Sequence, residues 1–124
     1  MIGIDIVEIE RIEKMLERFG KRSLERYLTQ EEQELIRSPH SAAGFWAVKE
    51  AVAKALGCGI GSTCGFKDIR IYKTQQGAPY IALSQRLIDS FGIESVEISI
   101  THDGGFAIAV AVLHTNNPHK VKGF

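Results

Sequence analysis

Val96-Glu97-Ile98-Ser99-Ile100-Thr101-His102-Asp103-Gly104-Gly105-Phe106-Ala107-Ile108-Ala109-Val110-Ala111-Val112-Leu113 is the stretch whose reading decides the fold. VEISI and FAIAVAVL are short runs dominated by β-branched and small apolar residues, and the Asp-Gly-Gly step between them is a hairpin signal. FAIAVAVL is apolar almost throughout, which predicts burial on both of its faces, in the core or at a subunit contact. Working upstream, Ser84 is placed to cap a helix ending near Gly92. FKDIRIYK alternates as a strand through Ile69 and Ile71, TQQGAP is a turn, and YIAL is a second strand. The glycine-rich GCGIGSTCG, residues 57–65, reads as a flexible loop.

The N-terminal half begins with a strand over residues 1–8, where Ile2, Ile4 and Ile6 point one way and Gly3, Asp5 and Val7 the other. From Ile9 the period becomes helical, with Ile9, Ile12, Leu16 and Phe19 recurring up to a stop at Gly20. Thr29-Gln30-Glu31-Glu32 resembles a capping box for a short helix reaching about Arg37. Ser38-Pro39-His40 breaks it, and a longer helix starts at Ser41 and runs through Leu56 to Gly57. The order is strand, helices, then β-β-α-β-β. This predicts one α+β domain over residues 1–114, an antiparallel sheet packed with helices, followed by a loose tail over 115–124.

Composition narrows the function classes. The chain has 124 residues, 44% hydrophobic, with 15 Lys plus Arg against 15 Asp plus Glu. A zero formal charge excludes a whole-molecule basic field for nucleic acid, so any charged partner must meet a local patch. Cys58 and Cys64 are too few for a disulfide scaffold and lack the further ligands a zinc site needs, so they read as free thiols. MIGIDIVEIE has no basic start and no apolar run is long enough to span a bilayer, so no secretory signal or membrane segment is expected and the protein is expected in the cytoplasm.

Four features carry chemistry. Asp5 lies within an apolar strand, where an ionised carboxylate costs free energy unless compensated, or else faces solvent at the strand end. Glu50 shares a helical stripe with Ala43, Trp46, Ala47, Ala53 and Lys54, either as half of an i,i+4 ion pair with Lys54 or as an acid at a site. Two carboxylates on separate elements are a common way to hold Mg²⁺, and a lysine one turn beyond would meet a phosphate oxygen. Arg11, Met15, Arg18 and Arg22, spaced four, three and four, share one face; this is either a solvated face with interleaved Glu10, Glu13 and Glu17, or a narrow basic stripe for a small acidic helical protein. Ser99-Ile100-Thr101-His102-Asp103 has the residue types of a hydrolase triad, but neighbours on a strand point to opposite faces, which excludes it. GCGIGSTCG is no P-loop, for it lacks the Lys-Ser/Thr ending.

Gly3-Ile4-Asp5-Ile6-Val7-Glu8-Ile9 with Arg11, Phe45-Trp46-Ala47-Val48-Lys49-Glu50-Ala51 with Lys54-Ala55-Leu56-Gly57, and Ser99-Ile100-Thr101-His102 together resemble the holo-acyl-carrier-protein synthase family, within the 4′-phosphopantetheinyl transferase superfamily. Asp68-Ile69 and Gly77-Ala78-Pro79 fit the same order, and the likeness runs over roughly residues 3–113. The resemblance implies transfer of the 4′-phosphopantetheine arm of coenzyme A to a serine of apo-acyl-carrier protein, in support of fatty acid biosynthesis. It implies that Asp5 and Glu50 hold Mg²⁺ and that Lys54 faces the coenzyme A phosphates. Gly77, Pro79 and His102 would border its nucleotide end, and Arg11, Met15, Arg18 and Arg22 would grip the carrier protein. It also implies a homotrimer with sites between subunits. Three positions depart from the family pattern: Phe45 where Arg is frequent, Cys58 where Thr is frequent, and Thr101 where Ser is usual. The competing classes are a Mg²⁺-dependent nucleotide hydrolase, which would release phosphate without a carrier protein, and a trimeric binding module, which would not need Asp5 or Glu50.

Overall fold

Two antiparallel sheets and one long central helix organise the chain; the structure, a computed structural model, describes residues 1–116 and 121–124. The elements run β1 (Ile2–Glu8), α1 (Ile9–Phe19), α2 (Lys21–Glu25), α3 (Gln30–Gln33), α4 (Pro39–Ala55), a 3₁₀ turn (Phe66–Asp68), β2 (Ile69–Lys73), β3 (Pro79–Leu83), α5 (Gln85–Phe91), β4 (Ile93–Asp103) and β5 (Phe106–Thr115). The larger sheet has the order β1-β5-β4 and the smaller is the β2-β3 hairpin. The α+β architecture of the sequence reading therefore stands, with the sheet divided in two.

The β4–β5 hairpin closes at Asp103↔Phe106 around Gly104 and Gly105, both at positive φ, the backbone that a side chain other than glycine resists. β5 alternates as it passes under α4. Ala107, Ala109, Ala111 and Leu113 are buried, whereas Ile108, Val110 and Val112 are half-buried on the opposite face. Of the two expectations for this strand, burial wholly within the chain's own core does not hold, since among the described residues no layer covers the second face; burial at a subunit contact is left as the alternative. β1 extends the same face, pairing Ile2 with Val112, Ile4 with Val110 and Ile6 with Ile108, and its three isoleucines are 58–71% exposed. On β4 that face turns polar, with Glu97, Ser99 and Thr101.

α4 lies against the other face because its sequence is made of small residues. Ala42, Ala43, Gly44, Ala47, Ala51, Ala53 and Ala55 are all buried, and small side chains let backbones approach. The approach is closest at Gly3, where a Cβ would fall on the Ala51 carbonyl oxygen and 2.6 Å from the Ala55 nitrogen. At its other end α4 passes β4, where a Cβ on Gly44 would lie 3.3 Å from both the His102 ring and the Ile100 side chain.

Several boundaries differ from the sequence reading for local reasons. α4 starts at Pro39, not Ser41: Ser38 caps it, Ser41 completes a capping box, and proline occupies the first turn, where its missing N–H costs nothing. α3 stops at Gln33, well short of Arg37. Phe66-Lys67-Asp68 forms a 3₁₀ turn, not strand, because the Asp68 carboxylate accepts the Gly65 N–H at 2.9 Å. Gly20, at φ 58, ends α1 as expected, but a separate α2 follows, so Arg22 is not on α1. β5 continues through Thr115, the first residue of the predicted tail; residues 121–124 carry no regular structure, and 117–120 lie outside the described residues. Both cysteines are free thiols, Cys58 exposed and Cys64 buried.

Candidate active site

The alternation of β1 decides which residues meet α4. Ile2, Ile4 and Ile6 face away, so Gly3, Asp5 and Val7 face the helix, and Asp5 arrives among apolar neighbours. Lys54, exposed in the last turn of α4, donates to Asp5 Oδ1 at 2.8 Å and to the Ile4 carbonyl oxygen at 3.3 Å. Lys54 therefore does not spend its charge on Glu50, as the i,i+4 alternative had it. Glu50 is half-buried one turn earlier on the same helix. Burial first, and then the Asp5 carboxylate, hold its carboxyl above the usual range; Lys54 and Arg11 act in the opposite direction.

The cations of this cluster are engaged elsewhere: Lys54 pairs with Asp5 and Arg11 lies over the Trp46 ring, so among the described residues Glu50 forms no ion pair. Two acids from separate elements face each other, and the nearest lysine is half in solvent, 50% exposed against 12% for Asp5. Among the described residues no set of three or more His, Cys, Asp or Glu side chains gathers to hold a metal. Two carboxylates suit a cation such as Mg²⁺, which takes oxygen ligands, keeps several waters and shares substrate phosphates. They do not suit zinc, which wants nitrogen or sulfur donors.

A second cleft of about 340 Å³ opens toward the N-terminal half of α4, lined among others by Phe45, Lys73, Gly77, Pro79 and His102. The fold thus brings together the Gly77–Pro79 turn and His102, which the sequence keeps far apart. His102 Nε2 lies 2.9 Å from the His40 carbonyl oxygen. A carbonyl can only accept, so Nε2 carries the proton and, in the neutral ring, Nδ1 is left as an acceptor. The sequence reading missed Lys73. Its Nζ sits 5.8 Å from the centre of the Phe45 ring, so a cation from β2 reaches the position where the family pattern often has arginine on α4. A lysine at the end of a predicted strand carries no local mark that would have singled it out.

The basic stripe is only partly continuous. Arg11 and Arg18 are exposed on α1 and Met15 is half-buried between them. A cleft of about 650 Å³ alongside is lined by Arg11, Lys14, Met15 and Arg18 with the acids Glu8 and Glu10 and with apolar side chains including Phe19. Arg22 stands on α2, yet it lines a smaller cleft with Met15, Phe19 and Arg26, so the turn at Gly20 keeps it near the stripe. The Arg11 guanidinium lies 5.4 Å over the Trp46 ring.

The 4′-phosphopantetheinyl transferase superfamily matches residues 1–111. This chain belongs to that superfamily. Within it the likeness is to holo-[acyl-carrier-protein] synthases: that of Sulfurimonas denitrificans is 50% identical over 121 residues, 98% of this chain and 100% of the relative. That of Wolinella succinogenes is 56% identical over 113 residues, 91% of this chain and 96% of the relative. Among solved structures, the Helicobacter pylori synthase in complex with coenzyme A superposes with a TM-score of 0.89 at 51% identity, covering 92% of this chain and all of that one. The Bacillus anthracis synthase in complex with CoA (3′,5′-ADP) gives 0.77 at 37% identity, covering 93% and 96%. Among the described residues no helix is long and apolar enough to cross a membrane.

Proposed function

We propose that this chain is a Mg²⁺-dependent holo-[acyl-carrier-protein] synthase, a cytoplasmic enzyme of fatty acid biosynthesis. It would transfer 4′-phosphopantetheine from coenzyme A to a serine of apo-acyl-carrier protein, leaving adenosine 3′,5′-bisphosphate. The observation that carries the reading is the convergence of Asp5 from β1 with Glu50 and Lys54 from α4 in one cluster where Glu50 is left without an ion-pair partner among the described residues. The relatives' names and the coenzyme A complex of the Helicobacter pylori protein support it.

In this reading the serine oxygen bonds to the β-phosphorus of coenzyme A, the bond from that phosphorus to the bridging oxygen breaks, and adenosine 3′,5′-bisphosphate leaves. Asp5 and Glu50 would hold the Mg²⁺, which when bound supplies charge neutralisation for the pyrophosphate. Lys54, once drawn from Asp5 toward substrate, binds a phosphate oxygen, and Glu50 receives the serine proton. His102, Gly77 and Pro79 would border the nucleotide end, with Lys73 adding the cation that Phe45 does not. Arg11, Met15, Arg18 and Arg22 would face the acidic carrier protein. The apolar outer face of β1 and β5, with Ile2, Ile4 and Ile6 exposed, is the surface we assign to a homotrimer contact, since an uncovered face of this kind marks an interface.

Incubation of the chain with Mg²⁺, coenzyme A and an apo-carrier protein, read by mass spectrometry, tests this. The expected product is carrier protein heavier by one phosphopantetheine, and none forms with chelator present. Phosphate release without any modified carrier would mean a nucleotide hydrolase.

A further inference from the structure

The arginines of the basic stripe are not held alike. Arg18 lies 5.2 Å over the ring of Phe19, its own neighbour, and Phe19 is 52% exposed. Arg11 lies 5.4 Å over Trp46, and that ring is fixed from behind. Tyr27 meets Trp46 edge-on at 5.0 Å and 77°, and Phe66 meets it at 5.0 Å and 46°. Tyr27 is 1% exposed and its hydroxyl donates to the Ala42 carbonyl oxygen at 2.9 Å, one turn before Trp46 on α4. The platform under Arg11 is thus built from three separate parts of the chain, whereas the platform under Arg18 is a single exposed side chain.

The placement of that platform gives it meaning. Trp46 precedes Glu50 by one helical turn, so the two share a face of α4. α1, which carries Arg11, packs on α4, and the Arg11–Trp46 contact is part of that packing. Arg11 therefore stands where the basic stripe meets the carboxylate pair. A guanidinium over an indole face is held by the attraction of the cation to the ring's quadrupole, and a charge held in place before encounter loses less freedom when it meets a partner.

We propose that Trp46 is a positioning residue: its indole face holds Arg11 in the orientation that receives an acidic group of the carrier protein next to Asp5 and Glu50. The proposal rests on the transferase reading above. Trp46 touches neither substrate nor metal in this account, and acts only through Arg11.

The test is a double-mutant cycle in carrier-protein KM, with Trp46→Leu, Arg11→Gln and the double variant, beside Trp46→Phe. Trp46→Leu is expected to raise carrier-protein KM about fivefold and to leave the coenzyme A KM within about twofold. In the Arg11→Gln background the same change should add less than about twofold, and Trp46→Phe, which keeps an aromatic face, should stay close to wild type. Effects of Trp46→Leu and Arg11→Gln that multiply independently would overturn the proposal, as would an equal rise in coenzyme A KM. Trp46 is the chain's only tryptophan, so its fluorescence reads the contact without any turnover. Arg11→Gln should shift that emission while leaving far-ultraviolet circular dichroism unchanged, and an unchanged emission refutes the contact even if Trp46→Leu fails to fold. Absence of transfer by the wild-type chain would refute the transferase reading instead, and the emission test would still stand or fall alone.

Discussion

Lys49 and Glu50 are adjacent on α4 but belong to opposite kinds of charge cluster. Lys49 is fully buried and donates to the Tyr27 carbonyl oxygen at 2.6 Å, to Glu32 Oε1 at 2.9 Å and to the Phe66 carbonyl oxygen at 3.1 Å. Glu32, 2% exposed, also accepts from the Thr29 N–H and, through Oε2, from the Ile71 N–H. Every ammonium proton has an acceptor, both carboxylate oxygens are used, and the pair ties together α3, α4, β2 and the segments around Tyr27 and Phe66. Around the helix from it, Glu50 lies near Asp5 and feels the influence of Arg11, while Asp5 alone pairs with the half-exposed Lys54. A cluster whose charges and hydrogen bonds are all matched internally has nothing left for a ligand and serves the fold. A cluster with a carboxylate left unpaired and open can be completed by a cation and a phosphate, and that unpaired group costs the folded protein something until then.

The comparison breaks most sharply if the sealed pair proves dispensable. Lys49→Met should leave Glu32 buried without its partner and destabilise the chain by roughly 3–5 kcal/mol, seen as a large drop in thermal midpoint. Adding Glu32→Leu should recover part of that loss, because the uncompensated charge is removed with its partner. A midpoint insensitive to both changes would show that the pair contributes no net stability. For the open cluster the expectation is reversed. Glu50→Gln or Asp5→Asn should lower kcat at least about a hundredfold, roughly 2.7 kcal/mol in the barrier, with a thermal midpoint equal to or above wild type. Loss of fold along with activity in these variants would place Asp5 and Glu50 with Lys49 and Glu32 as structural groups.

The open cluster was more legible in the sequence than the sealed one. Asp5 and Glu50 stand out because each is an acid in an apolar or small-residue pattern, which needs no knowledge of the fold. Lys54 was visible too, but its partner was not: the i,i+4 rule sees only the helix, whereas Asp5 arrives on a strand that the larger sheet carries under α4. Glu32 was legible as one half of a capping box with Thr29, and the box is present. Its bonds to Lys49 and Ile71 span 17 and 39 residues, and nothing local announces them. The hairpin was legible because Gly104 and Gly105 sit at backbone positions that demand glycine. α2 was not, since five residues show no period and its buried Ser23 is fixed by a bond to the Gly20 carbonyl oxygen. The outer face of β5 was legible as apolar but its cover was not, because an apolar strand face looks the same whether that cover comes from its own chain or from elsewhere.

A smaller effect sharpens the comparison at the rim of the open cluster. Arg18 is exposed and rests only on Phe19, so it should act as a screened surface charge and not as a built-in part of the site. Arg18→Glu is expected to raise the carrier-protein KM about tenfold, or roughly 1.4 kcal/mol, with little change in coenzyme A KM. Added salt should weaken the wild type and narrow its gap to the variant. A loss confined to coenzyme A KM would move Arg18 from the partner surface to the cofactor side.

The smallest expected effect falls on Lys73, which reaches from β2 to Phe45, more than one turn of α4 before Glu50. Among the described residues, the cleft it shares with His102 and the Gly77–Pro79 turn is lined by no acidic residue, and Lys73 supplies the only permanent positive charge there. Its ammonium is exposed and rests over the Phe45 ring, so its hold on a phosphate monoester is that of a solvated ion pair, about 1 kcal/mol. Lys73→Met should therefore raise the KM for coenzyme A about fivefold. The same change should leave the KM for 3′-dephospho-coenzyme A nearly unmoved, because that cofactor lacks the phosphate the lysine would meet. The wild type should prefer coenzyme A over its dephospho form by a similar factor, and the variant should lose most of that preference. Equal increases for both cofactors would mean that Lys73 supports the turn and does not read the phosphate. Phe45→Arg in the Lys73→Met background separates these outcomes further: an arginine restored on α4 should recover the preference if charge in this cleft is what the cofactor senses, and should do nothing if the loss was one of shape.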